Sequence, residues 1–152
     1  MHDHASIEVS TETRGVDVKF DAGNAITIFK ALSDPIRLRT LRLMTVNRTK
    51  MCVCELVDAL EERQYNVSRH LRILLTAGLL GSRKEGRWVY YGLADEADEN
   101  AARLNAFIAA LGDVDQLFAE DQARFRTRME LRQDGRCRLG ILNQELAGQG
   151  DR

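Results

Sequence analysis

Hydrophobic residues recur at helical spacing between residues 24 and 61, and polar residues fill the positions between them. This pattern predicts three helices, over residues 24–32, 33–44 and 54–61. The second has the clearest start signal. Ser33 or Asp34 can cap the free backbone amides there, and Pro35 suits the first helical position because its missing N–H would have no partner. The third segment, CELVDALE, is short and carries its apolar residues on one side.

A fourth amphipathic segment, QYNVSRHLRILLTAG, follows a polar break and ends at Gly78. At about 100° per residue, its apolar and polar positions fall on opposite arcs. The apolar arc contains Val67, Leu71, Leu74 and Leu75, and the polar arc contains Tyr65, Arg69 and Arg72, with Ser68 and His70 on the flanks. Two short helices, the second with donors on its outer face, are what a helix-turn-helix needs to place side chains in the major groove.

In the next segment, LLGSRKEGRWVYYGLA, side chains of different character alternate from one residue to the next, as in a β-strand, and the helical period is lost. It predicts two β-strands around a tight turn at Glu85 and Gly86, with Trp88 and Tyr90 in the core of the hairpin. A hairpin directly after the second helix is a wing. Its tip carries three cations that can reach phosphates: Arg83, Lys84 and Arg87. The predicted fold class is mainly α with a small β-hairpin, a winged helix-turn-helix.

Charge is segregated along this chain of 152 residues, although its formal net charge is only −1. Residues 63–91 contain six Lys or Arg and one acid, whereas residues 92–121 contain eight acids and one base. A basic block of this kind is suited to a polyanion such as DNA. The chain contains neither a glycine-rich phosphate loop nor an evident nucleophile with a histidine base, so an enzyme is not expected.

The ends of the chain and its cysteine content indicate a cytoplasmic protein. The first 22 residues are polar and aperiodic, and are expected to form a loose arm. They contain no apolar stretch typical of a signal peptide, and no later stretch approaches the roughly 20 apolar residues that span a bilayer. Three cysteines in a reducing compartment are expected to be free thiols or metal ligands.

Four segments, ALSDPIRLRTLRLM, CVCELVDAL, NVSRHLRILLTAGLL and EGRWVYYGL, resemble in this order the ArsR/SmtB family of winged-helix metalloregulatory repressors. The resemblance covers residues 24–111. It implies a homodimer that binds double-stranded operator DNA without metal and releases it when metal binds. It also implies a recognition helix over residues 65–72. The residues expected to contact DNA are Gln64, Tyr65, Asn66, Ser68, Arg69, His70, Arg72, Arg83, Lys84 and Arg87.

The same resemblance makes ADENAARLNAFIAALGDV a helix that pairs with its mate in the dimer. Its stripe of apolar residues supports this: Leu104, Phe107, Ile108 and Leu111. That stripe can equally pack on the chain's own first helix. The expected organisation is an arm over residues 1–22, a DNA-binding and dimerisation domain over 23–111, and a C-terminal helical extension with a flexible end over 112–152. Leu117, Phe118, Phe125 and Met129 suggest that the extension continues one long helix and enlarges the dimer contact.

Cys52 and Cys54 are the central candidates for metal binding. Residues two apart on a helix point about 200° apart, so these thiols cannot close on one ion while both are helical. In an extended segment they share a face. Chelation is therefore expected to require that the start of the third helix unwind or shift, which would couple metal binding to the recognition helix.

The CVC motif resembles the arsenite-sensing branch of the family, in which a third cysteine commonly follows three positions later. Here that position is Val57. The third sulfur can come from Cys137, of the same or the partner subunit, or from a small-molecule thiol. The alternative is that Cys137 is a thiol on a polar tail with no role in the site. As(III) or Sb(III) is the expected inducer, but thiolates also suit Cd(II), Pb(II), Zn(II) and Cu(I). No histidine follows His70, which excludes the histidine and carboxylate site that zinc and nickel sensors carry on the dimer helix.

A thiol-based redox or persulfide sensor of the same fold is the alternative. Cys52 lies near Arg48 and Lys50 in the sequence, and neighbouring cations lower the pKa of a thiol and make it more reactive. A disulfide within C-x-C would be strained, which weakens this alternative.

Overall fold

The structure is a computed structural model that describes residues 22–94, 98–113 and 115–148. The predicted arm lies outside these residues except for its last residue. In chain order the elements are α1 (Ala22–Leu32), α2 (Pro35–Asn47), β1 (Met51–Cys52), α3 (Val53–Leu60), α4 (Gln64–Thr76), β2 (Leu80–Glu85), β3 (Trp88–Leu93), α5 (Glu99–Ala109), α6 (Leu117–Met129) and a 3₁₀ turn (Gln144–Leu146). No helix among the described residues is long and apolar enough to cross a bilayer.

The start of α2 follows the predicted capping chemistry. Asp34 is the N-cap, and its carboxylate accepts hydrogen bonds from the backbone N–H groups of Ile36 at 2.9 Å and Arg37 at 3.2 Å. Pro35 occupies the first helical position. Of the two predicted caps, Asp34 is therefore confirmed. Its carboxylate fixes where the helix-turn-helix begins, because it satisfies amides that have no partner within the helix.

The wing is an antiparallel hairpin of β2 and β3, as predicted, with its turn one residue later, at Gly86 and Arg87. Gly86 has a φ of +64°, a conformation that glycine adopts without steric cost. Strand β1 adds a third strand to the hairpin and pairs Cys52 with Tyr90 of β3. This strand was not predicted, because two residues are too short to show an alternating pattern.

Helix α3 lies at the centre of the fold. Six of its eight residues are buried, and it contacts α2, α4, α6, β1 and β3. The core around it takes one fully buried side chain from each of α1 and α5, Ile28 and Ile108, and adds Phe125 from α6. A shift of α3 would therefore change its packing against α4, the expected recognition helix, against the wing and against the C-terminal extension.

The C-terminal extension does not continue α5. The backbone reverses at Asp115 and Gln116, which have φ values of 62° and 59°, and the Asp113 carboxylate caps the start of α6. Helix α6 then packs on α3, with Phe125 only 6% exposed. The prediction of one long helix is therefore wrong, and the enlarged dimer contact stays a prediction. The local signals for the break are Gly112, just beyond the end of α5, and Asp113, which caps α6, and the apolar spacing alone does not report them.

Helix α5 packs against α2 instead of α1, the first helix. Of the predicted dimer residues, Ile108 is 1% exposed and belongs to the chain's own core, and Leu104 and Leu111 are half-buried. Phe107 is 65% exposed. One member of the predicted stripe is therefore occupied by packing within the chain, and one is available to a partner.

Candidate metal centre and nucleic-acid interface

Three sulfur atoms form the candidate metal centre, which we call the thiol cluster: those of Cys52, Cys54 and Cys137. Cys52 is the extended residue that precedes α3, with φ −90° and ψ 168°, and Cys54 is in the first turn of α3. Their sulfurs lie 3.1 Å apart. The expectation that the start of α3 must unwind before these thiols meet is therefore wrong, because only one of them is helical.

Cys137 is brought to this pair by the C-terminal extension. A tight turn with Asp134 and Gly135 at φ 56° and 72° precedes it. The N–H of Cys137 donates to the Tyr90 hydroxyl on the wing at 2.9 Å, and its sulfur lies 3.5 Å from that of Cys54. The structure thus places Cys137 beside the CVC motif of its own chain.

The spacing of the sulfurs matches the requirement of a single ion. All three lie within 4.8 Å of one another. Metal–sulfur bonds of about 2.3 Å meeting at about 90–110° place neighbouring sulfurs about 3.3–3.8 Å apart. The observed 3.1 Å and 3.5 Å separations are close to this range. The third separation, between Cys52 and Cys137, is at most 4.8 Å. Three thiolates could therefore hold one thiophilic ion after movements of up to about 1 Å.

Their surroundings keep the thiols of Cys52 and Cys137 protonated. Cys52 is 2% exposed and Cys137 is fully buried. A hydrogen bond with Cys54, together with burial, raises the pKa of Cys52 well above its ordinary value. Burial raises the pKa of Cys137 to about 11. The expected activation of Cys52 by Arg48 and Lys50 is therefore wrong: both cations are exposed, and the hydrogen bond with Cys54 and burial together raise the pKa of the thiol.

One backbone carbonyl is shared by the cluster. The oxygen of Leu139 accepts from the sulfurs of Cys54 and Cys137, each at 3.3 Å, and from Nη2 of Arg128 at 2.8 Å. Arg128 also donates to the carbonyl of Gly140 at 2.9 Å. The segment that follows Cys137 is therefore fixed by two protonated thiols on one side and a guanidinium on the other.

Two buried ion pairs between α3 and the C-terminal extension support the cluster. Arg132 donates to both carboxylate oxygens of Glu55, each at 2.8 Å, and Arg128 donates to Asp58 at 2.7 Å. Burial alone would raise the pKa of Glu55, but the hydrogen bonds and charge of Arg132 outweigh it and lower that pKa. These arginines had no predicted role, because the sequence does not show that they face acids on α3. Each pair is neutral, so the cluster's immediate surroundings carry no net charge.

Residues 138–148, which we call the C-terminal strap, run from the cluster to the recognition helix. Asp58 accepts from the backbone N–H groups of Leu142 at 3.1 Å and Asn143 at 3.4 Å, which fastens the strap along α3. Arg63, the residue that precedes α4, donates to the carbonyl of Glu145 at 3.4 Å. The strap therefore connects Cys137 with the start of α4.

The candidate nucleic-acid interface is the polar arc of α4 together with the wing. Val67, Leu71 and Leu74 face the core, as predicted. Tyr65 is 49% exposed, and its ring lies 6.0 Å from the Arg69 guanidinium. The predicted DNA contacts that are exposed or half-exposed are Gln64, Tyr65, Asn66, Ser68, Arg69, Arg72, Arg83, Lys84 and Arg87.

His70 is the exception among the predicted DNA contacts. Its ring is 6% exposed, and Nδ1 accepts a hydrogen bond from Nη1 of Arg37 at 2.7 Å. The residue sits on the flank of the helix and packs between α4 and the start of α2, so its ring is not presented to DNA. The prediction of a phosphate or base contact is therefore wrong. A residue at the edge between the apolar and polar arcs of a helix can point its side chain either to the core or to solvent, and His70 points to the core.

His70 should make stability depend on pH. Burial lowers its pKa below the ordinary 6.5, so the unfolded chain binds a proton there more readily than the folded chain. Stability should be complete above about pH 6.5 and decrease as the pH falls below that value. The measurement is the urea midpoint between pH 5.5 and 7.5. His70→Asn, whose side-chain oxygen can accept from Arg37, should flatten this dependence, and an unchanged slope would contradict the assignment.

Fold and site together define a winged helix-turn-helix DNA-binding protein with a buried three-cysteine cluster. Residues 34–82 match the family described as "Bacterial regulatory protein, arsR family". The chain is 42% identical over 80 residues to "Uncharacterized HTH-type transcriptional regulator MJ1325" of Methanocaldococcus jannaschii, a match that covers 53% of this chain and 89% of that protein. It is 40% identical over 79 residues to "Arsenical resistance operon repressor" of Escherichia coli (strain K12), covering 52% and 67%.

Among solved structures, "Reduced HlyU from Vibrio cholerae N16961" is similar with a TM-score of 0.51 and 28% identity, covering 57% of this chain and 86% of that one. The chain belongs to the ArsR/SmtB family and is a transcriptional repressor of that metal-responsive family, not an enzyme. The predicted family and winged helix-turn-helix fold are thereby confirmed.

Proposed function

We propose that this repressor binds operator DNA as a homodimer through α4 and the wing, and releases it when As(III) or Sb(III) binds Cys52, Cys54 and Cys137. The observation that carries the proposal is the set of three sulfurs within 4.8 Å in one chain. The similarity to an arsenical resistance operon repressor also supports it. A protein that binds chromosomal operators works in the cytoplasm.

Charge balance favours a trivalent ion. Three thiolates and one trivalent ion form a neutral complex, whereas a divalent ion leaves a net charge of −1. The cluster is buried and flanked by ion pairs that are already neutral, so an uncompensated charge would be costly there. A pyramidal ion that prefers three sulfurs fits both the number of ligands and the charge.

Loss of the thiol protons supplies the coupling to DNA. Protonated Cys54 and Cys137 can donate to the carbonyl of Leu139, but thiolates bound to an ion cannot. Two attractive contacts at 3.3 Å then become repulsive contacts between partial negative charges. The carbonyl moves away from the cluster, and the C-terminal strap moves with it. Because the strap contacts Arg63 at the start of α4, the recognition helix is displaced.

One observation favours a divalent ion such as Cd(II) as a second candidate inducer. The Nη1 atom of Arg128 is buried and has no hydrogen-bond partner among the described residues. Although the charge of Arg128 is matched by Asp58, this unused N–H donor could hydrogen-bond to a thiolate of a complex with a charge of −1. Oxidants are less favoured, because the raised pKa values of Cys52 and Cys137 make these thiols poor nucleophiles.

A release titration tests the proposal. Operator duplexes selected from random DNA by the protein would be bound at fixed salt and titrated with arsenite, antimonite, cadmium, zinc and peroxide, each followed by gel shift. Arsenite and antimonite should release the DNA at the lowest concentrations. Release by cadmium or zinc alone would favour a divalent sensor, and release by peroxide alone would favour the redox alternative.

Arg69 should be a major contact of the recognition helix. Arg69→Ala should cost about 1–3 kcal/mol of operator binding with loss of preference at one base pair if the guanidinium reads a base, and should weaken all duplexes evenly if it contacts phosphate. Fluorescence anisotropy with operator and scrambled duplexes distinguishes the two. Arg126→Ala, on the exposed side of α6, is the matched control. An Arg69 variant that binds like the parent would contradict the proposed DNA face.

Phe107 should contribute to the dimer interface. It is 65% exposed, and Ile26 and Phe29 on α1 are also unusually exposed for large apolar residues. Phe107→Asp should raise the dissociation constant of the dimer at least about 10-fold, since it would bury a charge in an apolar contact. Sedimentation velocity measures this against Arg126→Ala, an exposed position on α6. A dimer unaffected by Phe107→Asp would place the interface elsewhere.

A further inference from the structure

We propose that the C-terminal extension adds a second, phosphate-binding patch to the wing, formed by Arg136 and Arg138, the two residues that flank Cys137. The proposal rests on the proposed function, because it assumes that the wing contacts DNA. It assigns part of the DNA-binding surface to a segment outside the helix-turn-helix and the hairpin.

The extension reaches the tip of the wing. Nη1 of Arg136 lies 2.8 Å from the Glu85 carboxylate, at the end of β2 next to the turn. One residue later, the N–H of Cys137 donates to the hydroxyl of Tyr90 on β3. Two consecutive residues of the extension are therefore fastened to the wing, one near its tip and one at its middle.

The two flanking arginines are exposed, and Arg136 is paired with Glu85 on the wing. Cys137 is fully buried and turned into the thiol cluster, whereas Arg136 and Arg138 are exposed on either side of it. In an extended segment, side chains on either side of an inward residue lie on the opposite face. No ion pair of Arg138 is formed among the described residues. Its guanidinium is therefore available to an external anion.

The pairing with Arg136 also neutralises a carboxylate, that of Glu85, which would otherwise repel DNA phosphates. Glu85 is the one acid within residues 63–91, and it lies in the wing beside the proposed phosphate contacts. Its carboxylate is flanked by Arg136 at 2.8 Å and by Arg83 at 3.9 Å. Exposed ion pairs contribute little to stability, so a structural role alone does not explain this arrangement. Together with the wing cations, the exposed arginines give this edge of the molecule a net positive charge suited to the DNA backbone.

The patch would share a segment with the inducer site. Cys137 is a proposed ligand of the ion, and its two neighbours are the proposed phosphate contacts. A shift of Cys137 on ion binding would move both arginines relative to the wing. Cys137 would then bind the ion, and the resulting movement of Arg136 and Arg138 would break their contacts with DNA phosphates.

The test is the salt dependence of operator binding. Each phosphate contact contributes about 0.9 to the slope of log affinity against log salt concentration. Arg138→Ala should reduce the magnitude of the slope by about 0.9 per protomer, and Arg136→Ala with Arg138→Ala by about 1.8. The double substitution to lysine should retain the parent slope, since it keeps both charges. Arg126→Ala, on the exposed side of α6, is the matched control and should leave the slope unchanged.

The outcomes separate this inference from the proposed function. Failure of the parent to bind duplex DNA would remove both. A parent that binds with a steep salt dependence, but whose slope is unaffected by the alanine substitutions, would overturn the patch alone. A uniform loss of affinity with no change in slope would do the same, because it would assign the arginines to the shape of the wing and not to phosphate contact.

Discussion

Replacing Cys54 by serine should abolish the release of operator DNA by arsenite. Cys54 is the sulfur that contacts both others, at 3.1 Å and 3.5 Å, so its loss removes the centre of the cluster. Loss of an outer partner of a metal site typically costs about 10–100-fold in affinity, and loss of a ligand should cost at least about 100-fold. Gel-shift titration with arsenite measures this, with operator affinity in the absence of arsenite expected to stay near the parent value.

The other cysteines provide the comparison. Cys52→Ser and Cys137→Ser should each weaken the response to arsenite, since each leaves two sulfurs for an ion that prefers three. Ser82→Ala, on the wing but outside the cluster, should respond like the parent. A Cys137→Ser variant with an unchanged response would reduce the site to the CVC pair, and a variant lacking all three cysteines that still released DNA would contradict the thiol mechanism.

Replacing Arg132 by methionine should destabilise the fold by about 3–5 kcal/mol, the range observed when one partner of a buried ion pair is removed. Glu55 is fully buried and would lose both hydrogen bonds from Arg132. Its carboxylate would remain in the core with the backbone N–H and the side chain of Cys52 as its remaining partners among the described residues. The urea midpoint at pH 7 measures the loss of stability.

A second substitution distinguishes the ion pair from general damage. Glu55→Gln combined with Arg132→Met should recover much of the lost stability, because the glutamine oxygen can still accept from Cys52 and no buried charge remains. Arg126→Met, on the exposed side of α6, should change stability by less than about 0.5 kcal/mol. If Arg132→Met behaves like Arg126→Met, the C-terminal extension is not fastened to α3 as described.

The helix-turn-helix and the wing could be predicted from the sequence because their signals are local. Asp34 and Pro35 mark a helix start within two residues, and the spacing of Val67, Leu71 and Leu74 distinguishes the core face of α4 from its polar face. Each of these features depends on residues only a few positions apart. The exposed polar face of α4, the expected DNA face, could be predicted for the same reason, apart from His70 on its flank.

The thiol cluster could be predicted only in part, because its third member comes from a distant segment. Cys137 lies beside Cys54 because α6 packs back against α3. Arg128 and Arg132 hold it there through ion pairs with Asp58 and Glu55 on α3. No periodicity in the sequence reports such pairings. The extended conformation of Cys52 could not be predicted either. It depends on a two-residue strand that forms only because it pairs with β3.

The central claim is that three cysteines of one chain bind a single thiophilic ion, and X-ray absorption spectroscopy of the arsenite-loaded protein tests it most directly. Three sulfurs at about 2.3 Å from arsenic are expected in the parent, and two in Cys137→Ser. A first shell with two sulfurs in both proteins would contradict the claim, because Cys137 would then contribute nothing to the site.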